Sequence, residues 1–271
     1  MLQDTWQSEV LMAFSGIADR NGYALMSKTT SLDDHEGVIS RIYQEGRVDG
    51  VIVLPTIRQD QFLLELQRQG VPLVVFGSHH PALHCVTQDD RQAAWNLVAH
   101  MVERGCQRIG FVRWVGDTAR FSSGQERYLG YVEAMRHFGL GISERWIGQG
   151  DMSISSGYQA VYTLLNGFSR ARAEQFPDAL LVVNDRMAIG GLKACHDLEV
   201  RVPLDLSVAG FDNSEYGRYT LPPLTSVSGP TVEMAGRAFE ALIELTNNGL
   251  LTEPLVQVTF PTQLVVRESV R

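Results

Sequence analysis

The sequence predicts an α/β fold of two Rossmann-like lobes, each built on a parallel sheet. Three observations carry that prediction. Apolar runs such as VDGVIVLP (48–55), VPLVVF (71–76) and ALLVV (179–183) are short and unbroken, as strands buried on both faces are. Segments of helical spacing, about 10–15 residues each, separate the runs, which is the pattern of right-handed βαβ units. The 271 residues hold more of these units than one small sheet can take.

The elements follow in order. Val10, Leu11, Phe14, Ile17 and Ala18 recur at helical spacing, and Gly22 stops that helix. The strand 48–55 comes next and ends on proline. Phe62, Leu63 and Leu66 mark a short helix closed by Gly70, before the strand 71–76. A helix over 91–104 closes at Gly105 and leads into RIGFV (108–112). The unit then repeats. Helices are expected over 124–138, closed by Gly139, and near 155–166; the strand 179–183, a helix over 186–199 and the strand LSVAGF (206–211) follow. A longer helix over 231–247 precedes two β-rich pieces, LVQVTF and TQLVVRES. No Pro-, Gly- or Ser-rich tether interrupts the chain, so the lobes should be joined by short crossings.

Composition narrows the function. The formal charge is −8 and no basic block is present, so these residues offer little for nucleic-acid phosphates. Cys85, Cys106 and Cys195 are widely spaced and odd in number, which suits reduced thiols better than a disulfide framework or zinc site. The first ten residues lack the basic start and apolar run of a signal peptide, and no apolar stretch reaches the roughly 18 residues of a membrane span. GxGxxG after a strand, GxxxxGK[ST], GxSxG and HExxH are all missing, which weighs against an enzyme of this architecture. No cofactor is implied.

Ligands of such sheets sit beyond the carboxyl ends of the strands. Three polar tips fall there: Asp89-Asp90, Asn184-Asp185 and Asp212-Asn213. Arg127 opens a helix after a polar stretch. Its fork of donors suits sugar hydroxyls or carboxylates, and equally a surface pair with Glu126 or Glu133. Asp185 is positioned to cap the following helix, while Asn184 offers a donor and an acceptor to a hydroxylated ligand. Trp6 and Met152 each admit two readings, a ligand wall or core packing. Trp95, Trp114 and Trp146 read as packing residues. His79, His80 and His84 read as a metal site or as a solvated loop, without an acidic or cysteine partner at ligand spacing.

Longer stretches carry a family likeness. GRVDGVIVLP, GVPLVVF, VAHMVERGCQRIGFV, ERYLGYVEAM, VVNDRMAIGGLKAC, VRVPLDLSVAGFDNSEYGRYTLPPLTSV and PTQLVVRES together resemble the lactose-repressor (LacI/GalR) family of bacterial transcription regulators, over nearly the whole chain. The resemblance implies a type I periplasmic-binding-protein-like fold with three interlobe crossings. It divides the chain into residues 1–105 plus 230–258 and residues 106–229 plus 259–271. It implies a small effector in the cleft, with a sugar or sugar derivative as the first expectation and phosphorylated sugars and nucleobases as the alternatives. Arg127, Asn184 and Asp212 match the family's ligand positions, and Trp6, Gln7, Ser123, Asp151 and Met152 match its flanking ones. It also implies a homodimer through Ile189, Tyr216, Tyr219 and Leu221, a cytoplasmic location, and operator DNA read through a preceding helix-turn-helix. Effector binding would shift the angle between lobes, a coupling of about 1–3 kcal/mol in such switches.

The sequence departs from the family in three places. The helix-turn-helix region is absent. So is the family's opening strand, whose omission would leave its two neighbours about 9–10 Å apart. A longer natural protein is therefore expected. Gly229 stands where the family often places glutamine or arginine, which leaves the effector's identity open. The competing readings are a periplasmic sugar-binding protein of a transporter, which an upstream signal peptide would favour, and a doubly wound enzyme, which would need a nucleotide motif or catalytic dyad.

Overall fold

The computed structural model describes residues 5–28, 35–54, 60–116, 122–248 and 254–271. The chain divides into two compact units, Met1–Gln88 with Pro230–Pro261, and Asp89–Gly229 with Thr262–Arg271.

The first unit holds a four-stranded parallel sheet in the order β1 (Val51–Val53), β2 (Leu73–Phe76), β3 (His84–Gln88), β9 (Gln257–Phe260). Strand periodicity decides which side chain goes where. Val74, Phe76 and Val86 enter one core with Val10, Phe14 and Ile17 of α1 (Thr5–Arg20) and Met234, Ala235, Ala238, Ala241 and Leu245 of α8 (Thr231–Asn248). Leu73, Val75 and Cys85 enter a second core with Phe62, Leu63 and Leu66 of α3 (Asp60–Arg68). Ile39 and Tyr43 of α2 (His35–Gln44) pack on this second core. Residues 23–28 pair with no strand among the described residues, and Leu25 and Met26 are exposed.

The second unit has a parallel sheet in the order β5 (Ile147–Gly150), β4 (Ile109–Trp114), β6 (Ala179–Val182), β7 (Ser207–Ala209). Strands β8 (Ser226–Ser228) and β10 (Gln263–Val265) form an antiparallel pair. Helix α4 (Asp90–Glu103) packs on α5 (Ser123–His137), and α6 (Ile154–Leu165) packs on α7 (Asp185–Asp197). Both pairs approach closely through glycine. A Cβ at Gly130 would run into the Arg91 carbonyl, one at Gly157 into the Met187 backbone, and one at Gly190 into the Ile154 carbonyl.

The first unit boundary falls at Gln88/Asp89 and not near 105 as expected. Helix α4 moves the boundary. Its Ala93, Ala94, Leu97, Val98 and Met101 share one core with Ile109, Phe111, Tyr131 and Met135 of the second unit. Among the described α-helices and strands, four escaped the sequence reading: α2, β3, β5 and β8. Strand β5 reads IGQG, too rich in glycine to signal a strand.

Two side-chain readings also change. His80 and His84 are buried, so a solvated loop does not describe them. The His80 Nδ1 accepts from the Ala82 N–H, and the His84 Nδ1 accepts from the Val256 N–H, tying β3 to the approach of β9. Among the described residues no group of three or more His, Cys, Asp and Glu could hold a metal ion. All three cysteines are free and buried. Burial pushes the Cys85 thiol up to about 11 and the Cys195 thiol up to about 12.

Candidate functional site at the carboxyl edge of the second sheet

Three helix starts and one strand end converge in the second unit. Helix α5 opens with Ser122 as N-cap, whose hydroxyl accepts from the Gln125 N–H. That start sets half-buried Ser123 and buried Arg127 one turn apart on one face. Helix α7 opens beyond β6. Its N-cap is Asn184, whose Oδ1 accepts from the Met187 N–H at 2.9 Å. The expectation that Asp185 caps this helix is therefore corrected. Asp185 is fully buried, accepting instead from the Ser214 N–H and the Ser226 hydroxyl, both at 2.7 Å. Burial drives its carboxyl up to about 6, against those two hydrogen bonds.

Arg127 is the centre of the cluster. It is 5% exposed, so the alternative of a surface arginine is excluded. The nearby glutamates pair with Arg91 instead. Arg127 Nε donates to Asp90 Oδ1 at 2.7 Å, and Nη1 donates to the Val183 carbonyl at 2.6 Å. Nη1 also lies 3.5 Å from Asp212 Oδ1, and the guanidinium sits 4.4 Å above the Phe211 ring centroid. Burial alone would lower its pKa, but the charges of Asp90 and Asp212 reverse that and raise it. The arginine thus stays a cation. Its Nη2 takes no acceptor among the described residues.

Asp212 follows β7 with a φ of 96°, and Asn213 continues at 49°. Two successive left-handed residues turn the chain sharply at the sheet's carboxyl edge. The turn is held on both sides. Asp212 N–H donates to the Val227 carbonyl, Asn213 N–H donates to the Ser226 hydroxyl, and Arg267 donates to Asn213 Oδ1.

The remaining expected residues divide between the units. Asp151 is exposed, accepts from the Ser153 N–H at 3.0 Å, and is held down at about 2 by its serine hydrogen bonds. Met152 is half-buried at φ 71°, and its carbonyl accepts from Asn184 Nδ2 at 3.4 Å. So Arg127, Asn184 and Asp212 share the carboxyl edge of one sheet, with Met152 against Asn184. Trp6 and Gln7 belong to the first unit. There Trp6 stacks on Phe76, with ring centroids 6.2 Å apart and planes 23° apart, and approaches Gly77. Of the expected dimer residues, Tyr216, Tyr219 and Leu221 are 62%, 77% and 93% exposed, while Ile189 is half-buried.

Sequence reasoning missed two members. Asp90 lies on one of the three polar tips, but nothing in the sequence signals its ion pair with Arg127. Phe211 looked like the end of a buried strand, and nothing in the sequence puts it beneath a guanidinium. The groups assembled here are a cation seated on a buried aromatic ring, carboxylates and an amide. They suit a small molecule rich in hydroxyls, which needs acceptors and donors at fixed angles.

Comparison with known proteins agrees with this architecture. Residues 98–270 match the periplasmic binding protein-like domain. The HTH-type transcriptional repressor PurR of Pectobacterium carotovorum is 27% identical over 269 residues, covering 97% of this chain and 75% of that protein. The HTH-type transcriptional regulator AscG of Escherichia coli is 28% identical over 268 residues, covering 97% and 76%. Among solved structures, the complex of the transcriptional regulator CelR with cellobiose superposes with a TM-score of 0.86 at 28% identity, covering 98% of this chain and 79% of that one. The E. coli AscG repressor structure gives 0.79 at 29% identity, covering 97% and 94%. These relatives are transcriptional regulators, not enzymes.

Proposed function

The chain belongs to the periplasmic binding protein-like family, among the LacI/GalR transcription regulators, and from that premise we propose that it is the effector-sensing and dimerisation core of a cytoplasmic bacterial repressor. The effector is a sugar or sugar derivative. Arg127 Nη2 donates to one hydroxyl, Asp212 accepts from another, and the Asn184 amide, Ser123, Asp151 and Met152 line the approach. Ile189, Tyr216, Tyr219 and Leu221 pair two copies. Operator DNA is contacted through a helix-turn-helix of the kind the curated relatives are named for.

One observation carries the reading. A buried arginine is held by Asp90 at Nε and by the Val183 carbonyl at Nη1, with Asp212 3.5 Å from that same Nη1 and the Nη2 group left for a ligand. Fixing the side chain in advance removes ordering cost from binding. The cellobiose complex of a similar regulator makes disaccharides the first compounds to try. The test is a thermal-unfolding screen against a carbohydrate panel, repeated with Arg127→Ala. A sugar that stabilises both proteins equally removes Arg127 from the site. A transporter's binding protein is the less supported reading, because the relatives are regulators.

A further inference from the structure

A second cluster of charge lies at the opposite edge of the second unit's sheet. Arg108 immediately precedes β4, Asp178 precedes β6, and Asp205 lies just before β7. In a parallel sheet these positions mark the amino ends, whereas Arg127, Asn184 and Asp212 gather at the carboxyl ends. Here the surface dips into an open cavity of about 560 Å³, lined by Arg108, Arg170, Arg201, Arg271, Asp178 and Asp205. That volume is in the range of small-molecule sites, roughly 300–1,000 Å³.

The charges form two triads. Asp205 takes Arg201 at 2.7 Å and Arg170 at 3.1 Å. Asp178 lies 3.5 Å from Arg108 and 3.7 Å from Arg271. Asp178 also accepts from the backbone N–H groups of Gln107 and Arg108, which uses both of its oxygens. Each carboxylate is thus shared by two guanidinium groups, and each triad keeps one positive charge over. This happens on a chain whose formal charge is −8. The pairings leave donors unspent. Arg170 uses Nη2 and Arg201 uses Nε and Nη2, so the Nη1 group of each takes no acceptor among the described residues. Shared carboxylates hold the forks in place, and the spare N–H groups stay at the cavity wall.

We infer that this cavity binds a small dianion of the phosphate-monoester type, at a site separate from the effector cluster. Two fixed guanidinium pairs, each with one uncompensated charge, match two anionic oxygens, and the guanidinium fork suits the geometry of phosphate oxygens.

The experiment uses the whole chain and inorganic phosphate, compared with sodium chloride of equal ionic strength, by calorimetry and thermal unfolding. Phosphate is expected to raise the unfolding midpoint beyond chloride. Arg170→Ala/Arg201→Ala should weaken binding at least about ten-fold, since two charge-assisted contacts go. Should that double variant fold poorly, Leu204→Glu serves. Leu204 lines the cavity and is 66% exposed, so the change adds repulsion without emptying a core. It should also weaken phosphate about ten-fold. Phosphate binding no stronger than chloride overturns the proposal. So does phosphate binding that Leu204→Glu leaves intact, which would place the anion elsewhere, the effector cluster included.

Discussion

Arg127 Nε donates to Asp90 Oδ1 at 2.7 Å, joining the second turn of α5 to the first turn of α4 in the interior of the second unit. Both side chains are almost wholly buried. The pair orients a guanidinium and neutralises it at the same time. Asp90→Ala should cost about 3–5 kcal/mol, because it leaves a buried cation with one partner fewer. Denaturant unfolding measures this. A loss below about 1 kcal/mol would mean that Asp212 and the Val183 carbonyl suffice to hold the arginine.

Asn184 does two jobs that one substitution can separate. Its oxygen caps α7 and its amide nitrogen reaches the Met152 carbonyl at a long 3.4 Å. Serine keeps a capping oxygen and drops the amide donor. Asn184→Ser should therefore change stability by no more than about 1 kcal/mol, yet abolish the stabilisation conferred by the effector. Equal effector shifts in the two proteins would show that the amide does not touch the ligand.

Asp185 sets a pH dependence of unusual sign. Its carboxyl is raised from 3.8 to about 6 on folding, so between these values the folded state holds a proton that the unfolded chain has released. This group's contribution to stability is present in full below pH 3.8 and declines as pH rises through 6. Asp151 acts the other way, being held at about 2, so its contribution fades only as pH falls below 3.8. Asp185→Asn should flatten the decline between pH 4 and 6 and leave the acid limb alone. Parallel curves for variant and parent over that window would count against Asp185 as the source.

The α6–α7 contact tolerates no side chain at two points. Gly190→Ala would push a methyl into the Ile154 carbonyl, and Gly157→Ala would push one into the Met187 backbone. Each should destabilise by about 1–3 kcal/mol or more through forced separation of the helices. Because α7 carries Asn184 at its start, effector affinity should fall as well. Calorimetric midpoints within a degree of the parent would refute the close approach.

The exposed trio Tyr216, Tyr219 and Leu221 gives a test of association. Sedimentation should show a dimer at micromolar concentration, and Tyr219→Glu with Leu221→Glu should yield monomers with unchanged far-UV dichroism. A monomeric parent protein at that concentration refutes the pairing surface.

Much of this was legible along the chain. Hydrophobic period and length gave the βαβ alternation, and glycine stops gave the helix ends, because those signals are local. The rule that ligands gather beyond strand ends points to the tips at Asn184 and Asp212, a helix-opening position points to Arg127 with a surface pair as its alternative, and family likeness favours the ligand reading for all three. Tertiary structure alone decided the rest. Whether Arg127 meets Glu126, Glu133 or Asp90 depends on how α4 lies against α5, and the glycine contact at Gly130 fixes that approach. Which residue of the Asn184-Asp185 pair caps the helix depends on Ser214 and Ser226, which arrive from later in the chain to claim Asp185. Likewise α4 joins the second unit because its apolar face finds Ile109, Phe111 and Tyr131 there. Periodicity says that a face will be buried; only the packed chain determines what buries it, because burial energy is proportional to area and carries no address.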